Sequence, residues 1–319
     1  MGRIETALAT NPFRIDESQC LLLAERLTTF RPADARYPWS DFSRDAQICF
    51  KVFFVSVCHQ INWDFLQNAL FNTFAINDAR EMIRRAGEIR PATIQSMLGG
   101  YHRPDRVRGA ERARYLRSTS AAISASFDGN IEQLVCSNKV LGEGGLFERL
   151  RQVPAFAEDP LSKKSNALAQ ELAREGIVDF IDASKIPPAI DYHLIRLYLR
   201  TGRVYASNEA VFSSLSTGQT HRPRLLRLLR EATAIALSTT AEFAKLPIHE
   251  LNYLEWQLGR SRCERDFVNC NGEWPSELKD ESITKMSAAC PMRENCHAYK
   301  MPRWKSLIEP ALHLKKAYY

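Results

Sequence analysis

The 319-residue chain has no apolar run long enough to cross a bilayer, because Ile48–Phe50 and Val52–Cys58 are interrupted or too short. The opening Met1-Gly2-Arg3-Ile4-Glu5-Thr6 mixes in charge at once and shows no apolar core followed by a small-residue cleavage site. A membrane or exported protein is not expected; a cytoplasmic one is. Convincing period-two alternation is scarce, no hairpin dipeptide sits between two alternating runs, and there is no internal repeat or low-complexity segment. Hydrophobic residues at 45% and charged ones at 25% exclude disorder, collagen and coiled coil. The length suits about two domains.

What is present is helical patterning. Phe65–Phe74, Arg80–Ile89, Lys164–Arg174, Leu194–Arg200, Leu225–Leu237 and Ile248–Leu258 carry apolar residues at three- and four-residue spacing. Breakers fall at Gly99-Gly100, Gly142–Gly145, Pro154, Pro187-Pro188 and Pro223. The expected fold class is all-α with short connections.

Net charge is +6, with a pI of 8.9, and the excess is clustered arginine. His102-Arg103-Pro104-Asp105-Arg106-Val107-Arg108 continues to Arg112, Arg114 and Arg117, and His221-Arg222-Pro223-Arg224 to Arg227 and Arg230. Such runs suit a phosphate-bearing partner, through forked bonds and counterion release, or form a solvated helix face.

Four of the eight cysteines are scattered (Cys20, Cys49, Cys58, Cys136) and read mainly as small buried hydrophobes. Cys263, Cys270, Cys290 and Cys296 fall instead as C-x6-C-x19-C-x5-C within 34 residues. In a reducing compartment four gathered thiols point to a metal centre rather than to disulfides, and they suit tetrahedral zinc or a [4Fe–4S] cluster. His297 is a spare ligand candidate.

Three further segments carry chemistry. Asp191 follows Pro187-Pro188 where a helix N-cap belongs, with His193, Arg196 and Arg200 on one face and Ile190, Leu194, Leu197 and Tyr198 on another. Lys163 and Lys164 read as exposed first-turn lysines. Phe53–Val57 is an apolar run that turns polar at His59, Gln60 and Asn62; there Trp63 reads as core and His59 as a helix-end histidine.

These segments together resemble the endonuclease III and MutY-like iron–sulfur branch of the helix-hairpin-helix DNA glycosylase superfamily. Trp256-Gln257-Leu258-Gly259-Arg260-Ser261-Arg262-Cys263 resembles the approach to that family's iron–sulfur loop, whose pattern is C-x6-C-x2-C-x5-C; here Asn271–Ala289 lengthens the middle interval. Asp191, His193 and Arg196 match the family's V-D-x-H-x-x-R segment. Lys163-Lys164-Ser165 resembles the lysine site without its glycine hairpin, and Gln60 falls on the glutamine inserted into the duplex.

The resemblance implies Asp191 as the catalytic carboxylate, kept ionised by helix amides, Lys164 as the amine of a lyase step, and a [4Fe–4S] cluster on Cys263, Cys270, Cys290 and Cys296, with zinc as the alternative. It also implies that His59, Gln60, Asn62, Trp63, His193 and Arg196 contact substrate or DNA. The base pocket would flip out its target. Adenine specificity does not transfer, because Phe54 and Val55 stand where an acid would be needed.

The implied architecture is a two-lobed helical fold: residues 1–47 as an N-terminal extension packing with the C-terminal lobe, 48–190 as a helical barrel lobe, 191–262 as a second lobe, 263–297 as the cysteine loop and 298–319 as a tail. Asp191 would lie in the cleft. The expected function is a DNA N-glycosylase acting on double-stranded DNA as a monomer, not at a membrane. An N-glycosidase on a free modified nucleoside or nucleotide, and a non-catalytic DNA-binding protein with a structural cluster, are the alternatives.

Overall fold

The computed structural model describes residues 11–30, 41–159, 161–219, 221, 223–274, 281–285 and 287–310. The N-terminal hexapeptide, Arg222 and the end of the expected tail lie outside these. Helix accounts for 61% of the structure and strand for 3%, which makes the chain all-α. Among the described residues no helix is long and apolar enough to cross a membrane. The chain divides into two compact units, one built from residues 11–30 and 187–310 and the other from 41–186.

In the first unit a strand Phe13–Ile15 pairs antiparallel with Val204–Ala206, Phe13 opposite Ala206. Three-residue strands carry too little alternation to be read from sequence. Asp16 caps the helix Glu17–Leu27 by accepting from Gln19 N at 2.9 Å, and this helix packs along Pro223–Ala244. The N-terminal segment thus joins the core of the later helices: Leu23 and Leu27 are buried in one cluster with Leu194, Leu229, Leu237 and Leu254. Each such side chain stabilises the unit by roughly 1.5–3 kcal/mol.

Two glycines set how closely the elements meet. Gly202 ends the helix Tyr192–Thr201 at φ +86°, and a Cβ there would strike the His297 ring. Gly259, in the helix Ile248–Ser261, would place a Cβ 2.8 Å from the His193 carbonyl, so the two helices approach backbone to backbone.

The second unit is organised round the helix Arg44–Ser56, whose residues 48–56 are all buried. It runs unbroken across residues 47 and 48. Helices Trp63–Phe74, Ala79–Glu88, Pro91–Met97, Gly109–Ser126 and Lys163–Arg174 follow, with shorter helical turns between. Pro154 and Pro223, read as breakers, each begin a helix; proline's fixed φ suits the first turn. The connections at 136–145 and 175–191 are longer than expected.

A buried charged knot pins two of these helices. Lys51 Nζ lies 2.8 Å from Glu171 Oε2 and also binds Glu175, while Arg174 reaches Glu175 Oε1 at 3.3 Å. One lysine cannot fully serve two buried carboxylates. Burial, with Glu171 beside it, raises the Glu175 carboxyl well above its ordinary range, whereas Lys51 and Arg174 overcome burial at Glu171 and hold it low.

Candidate functional site

In the first unit the expected cap is formed. Asp191 is 4% exposed, and its Oδ1 accepts from His193 N at 2.9 Å and Leu194 N at 3.1 Å. Its second oxygen, Oδ2, accepts from the Trp256 indole N–H at 3.1 Å. Arg260 lies over the Trp256 ring, 4.4 Å from its centroid, and its Nε donates to Gln257 Oε1. The sequence singled out the segment holding Trp256 but not this bond, which no local spacing reveals.

His193 is half-buried, and its ring lies tilted by 39° against that of Tyr192 with centroids 4.1 Å apart. Arg196 is 1% exposed, and its guanidinium is engaged inside the unit. Nε donates to the Cys263 carbonyl at 2.6 Å, Nη2 to the Gly259 carbonyl at 3.0 Å, and Nη1 pairs with Glu309 at 2.8 Å. Arg196 therefore ties the helix bearing Asp191 to the start of the cysteine loop.

All eight cysteines carry free thiols. Among the described residues no group of three or more His, Cys, Asp or Glu side chains stands ready to hold a metal ion. The four loop thiols nonetheless lie within electrostatic range of one another. Burial pushes Cys290 well up, with Cys270, Cys296 and Cys263 adding to it, and pushes Cys296 up to about 12, with Cys263 and Cys270 adding. Cys263, Cys290 and Cys296 are each 8% exposed.

Two arginines hold the loop's backbone. Arg200 Nη1 lies 3.5 Å from Cys263 Sγ and also donates to the Glu264 carbonyl at 2.5 Å, and Nη2 donates to that of Arg265 at 2.8 Å. Arg262 stacks on Trp274 and donates to the carbonyls of Gly272, Glu273 and Ala288, closing the long interval between Cys270 and Cys290. The Cys290 N–H donates to the Cys270 carbonyl at 3.0 Å.

In the second unit the tertiary structure brings together three separate segments of the sequence. Arg112 is fully buried, and its guanidinium donates to the carbonyls of Val57, His59, Arg106 and Val107. It thereby fastens the turn after Arg44–Ser56 to the turn before Gly109–Ser126. Both turns contain a non-glycine residue in left-handed backbone, Gln60 at φ +54° and Arg108 at φ +48°. Such conformations cost about 1–3 kcal/mol each and concentrate at functional sites. The two meet through side chains: Gln60 Oε1 accepts from Arg106 Nη1 at 2.8 Å and from Arg108 Nη1 at 3.5 Å.

His59 is 3% exposed and packs edge-on against Tyr115. Burial lowers its pKa to about 3, so the imidazole is neutral. Lys164 lies 4.3 Å from the centroid of the same Tyr115 ring, and its Nζ donates to the carbonyls of Ser56 at 2.7 Å and Ala155 at 3.3 Å. The expected exposed first-turn lysine is instead 4% exposed, and burial lowers its pKa. Asn62 caps the helix Trp63–Phe74 through Phe65 N, and Trp63 packs on Phe54 at 4.4 Å.

The basic run 103–117 is thus largely consumed within the unit. Arg114 is held by Glu158 through two 3.0 Å bonds, and Arg117 donates to the Ile89 carbonyl. In the second run, Arg224 and Arg227 are exposed and Arg230 is buried. No protein-family model matches the chain, and no curated protein matches its sequence.

Proposed function

We propose that the chain is a DNA N-glycosylase of the helix-hairpin-helix type, two-lobed, monomeric and cytoplasmic, with Asp191 as its catalytic carboxylate. The observation that carries this reading is Arg196, which joins the Asp191 helix to Cys263 and Gly259 and so makes the carboxylate and the cysteine loop one construction. A mere helix cap needs no such tie.

In the reaction, the bond from the sugar's anomeric carbon to the base nitrogen breaks and its electron pair leaves with the base. Asp191 stabilises the oxocarbenium-like sugar and takes a proton from the water that adds to the anomeric carbon. The departing base gains a proton, which completes hydrolysis. The two amides and the Trp256 N–H fix the carboxylate's direction before substrate arrives.

Cys263, Cys270, Cys290 and Cys296 would hold a [4Fe–4S] cluster, zinc being the alternative. The donors are of the right kind: four thiols lie within electrostatic range, and Arg200 and Arg262 would offset the negative charge that four thiolates bring. Such a group, when bound, cross-links the loop. Lys164 would enter a lyase step only by leaving the two carbonyls it now binds, so hydrolysis is the main activity expected.

The test is excision from duplexes carrying modified bases, with iron and zinc counted on anaerobic protein. Excision by the wild type, absent in Asp191→Asn and present in Lys164→Met, supports this reading. About four irons per chain, lost in Cys290→Ser, supports the cluster. No excision across the panel overturns it. The internal use of Arg112, Arg114 and Arg117 favours a second reading, an N-glycosidase on free nucleosides or nucleotides. That enzyme would show little salt dependence, whereas duplex binding falls steeply with salt.

A further inference from the structure

Four polar atoms round Gln60 are buried without a hydrogen-bond partner: both ring nitrogens of His59, Nε of Arg106 and Oε2 of Glu111. Buried polar atoms are as a rule satisfied by protein, water or ligand; Glu111 Oε2 and Arg106 Nε stand in ion pairs, so the two nitrogens of His59 are the ones that call for an occupant. His59 Nε2 faces Glu111 Oε2 across 3.7 Å, too far for a hydrogen bond between them. Glu111 is balanced in charge by Arg108, whose Nε lies 2.8 Å away, and Arg106 by Asp105 at 3.0 Å. The side chains of Glu111, Arg108 and Arg106 are 20%, 28% and 35% exposed, so these residues reach the surface while His59 lies at the inner end.

The chemistry of the occupant follows from the groups. A glutamate carboxylate only accepts hydrogen bonds, so the occupant must donate to it. A neutral imidazole offers one donor and one acceptor, so beside the donated bond the occupant must also present an acceptor. A ring nitrogen next to an exocyclic amine, as in cytosine or adenine, has both in the required order. In that register the oxo counterparts, uracil and hypoxanthine, present an oxygen to the carboxylate, and their ring N–H donates to it only in a shifted or flipped pose. A mismatch of that kind leaves two acceptors face to face.

We propose that His59 and Glu111 form a subsite that reads the edge of an amino-bearing heterocyclic base. Glu111 accepts from the exocyclic amine and His59 donates to the neighbouring ring nitrogen. Arg112 and the left-handed Gln60 and Arg108 hold the two groups at their spacing. This deepens the glycosidase reading, on which it rests for its biological use, by naming the class of base.

The experiment follows the ring resonances of His59 in full-length, nitrogen-labelled protein during titration with cytidine, adenosine, uridine or inosine. Cytidine or adenosine is expected to move them and to bind at least about ten-fold more tightly than its oxo counterpart. Glu111→Gln, which retains an oxygen for Arg108, is expected to abolish the preference while melting as the wild type does. No movement, equal binding of oxo and amino partners, or an unchanged preference in Glu111→Gln overturns the proposal. A preference in protein that excises nothing upholds the subsite and sinks the glycosylase reading; excision without the preference does the reverse.

Discussion

Trp256 donates its indole N–H to Asp191 Oδ2 at 3.1 Å, while Asp191 Oδ1 is taken by two amides of its own helix. A carboxylate held on both oxygens is ordered before any ligand arrives. Asp191→Asn keeps the cap through one oxygen but turns its amide NH2 towards the Trp256 N–H, so it should cost about 1–3 kcal/mol while excision is lost. Trp256→Phe removes the indole donor to Oδ2 in a buried setting and should cost about 1–3 kcal/mol. Calorimetry on both variants, with excision kinetics beside it, measures this; a Trp256→Phe protein as stable as wild type would show the bond to be idle.

Neutral His59 makes stability depend on acid. Its folded pKa of about 3 lies below the ordinary value of about 6.5, so in that interval the unfolded chain binds a proton that the folded chain refuses. Stability should therefore fall as pH drops below about 6.5, by up to about 1.4 kcal/mol per unit, until the folded histidine itself titrates. His59→Gln should flatten this slope. Urea midpoints at pH 7.5 and pH 5 decide the matter.

The Lys51 knot predicts an opposite slope. Because Glu175 is raised, the folded chain keeps a proton that the unfolded chain has released above the ordinary carboxylate range. Stability should fall as pH rises from that range through the raised value, and Glu175→Gln should remove the fall. Lys51→Met leaves Glu171 and Glu175 without their shared cation and should cost about 3–5 kcal/mol. Denaturation of the two variants across pH 4.5–9 reads both effects.

Arg262 is the closure of the cysteine loop. Arg262→Met gives up its bonds to the carbonyls of Gly272, Glu273 and Ala288, at a cost of about 1–3 kcal/mol. Limited proteolysis between Cys270 and Cys290 should then run faster than in the wild type. Equal digestion rates would show that the clamp contributes nothing to the loop's order.

The sequence by itself determined the helical class and several helices, because apolar spacing and caps act within a few residues. Phe65–Phe74 was expected and Trp63–Phe74 is found, with Asn62 as its cap; Leu194–Arg200 lies inside Tyr192–Thr201, with Asp191 as its cap. Only the tertiary structure decided what the charges do. Arg112 looks in sequence like its neighbours in a basic run, yet two carbonyls of the distant turn at Val57–His59 and two of the turn just before its own helix convert it into an internal staple. Lys164 reads in sequence as an exposed first-turn lysine, yet Ser56, Ala155 and Tyr115 close round it. The pairing of Phe13–Ile15 with Val204–Ala206, the Trp256 bond to Asp191 and the meeting of Gln60 with Arg106 are of the same kind. A helix is specified by neighbours along the chain, whereas a buried polar partner is specified by whichever distant segment the packed core brings to it.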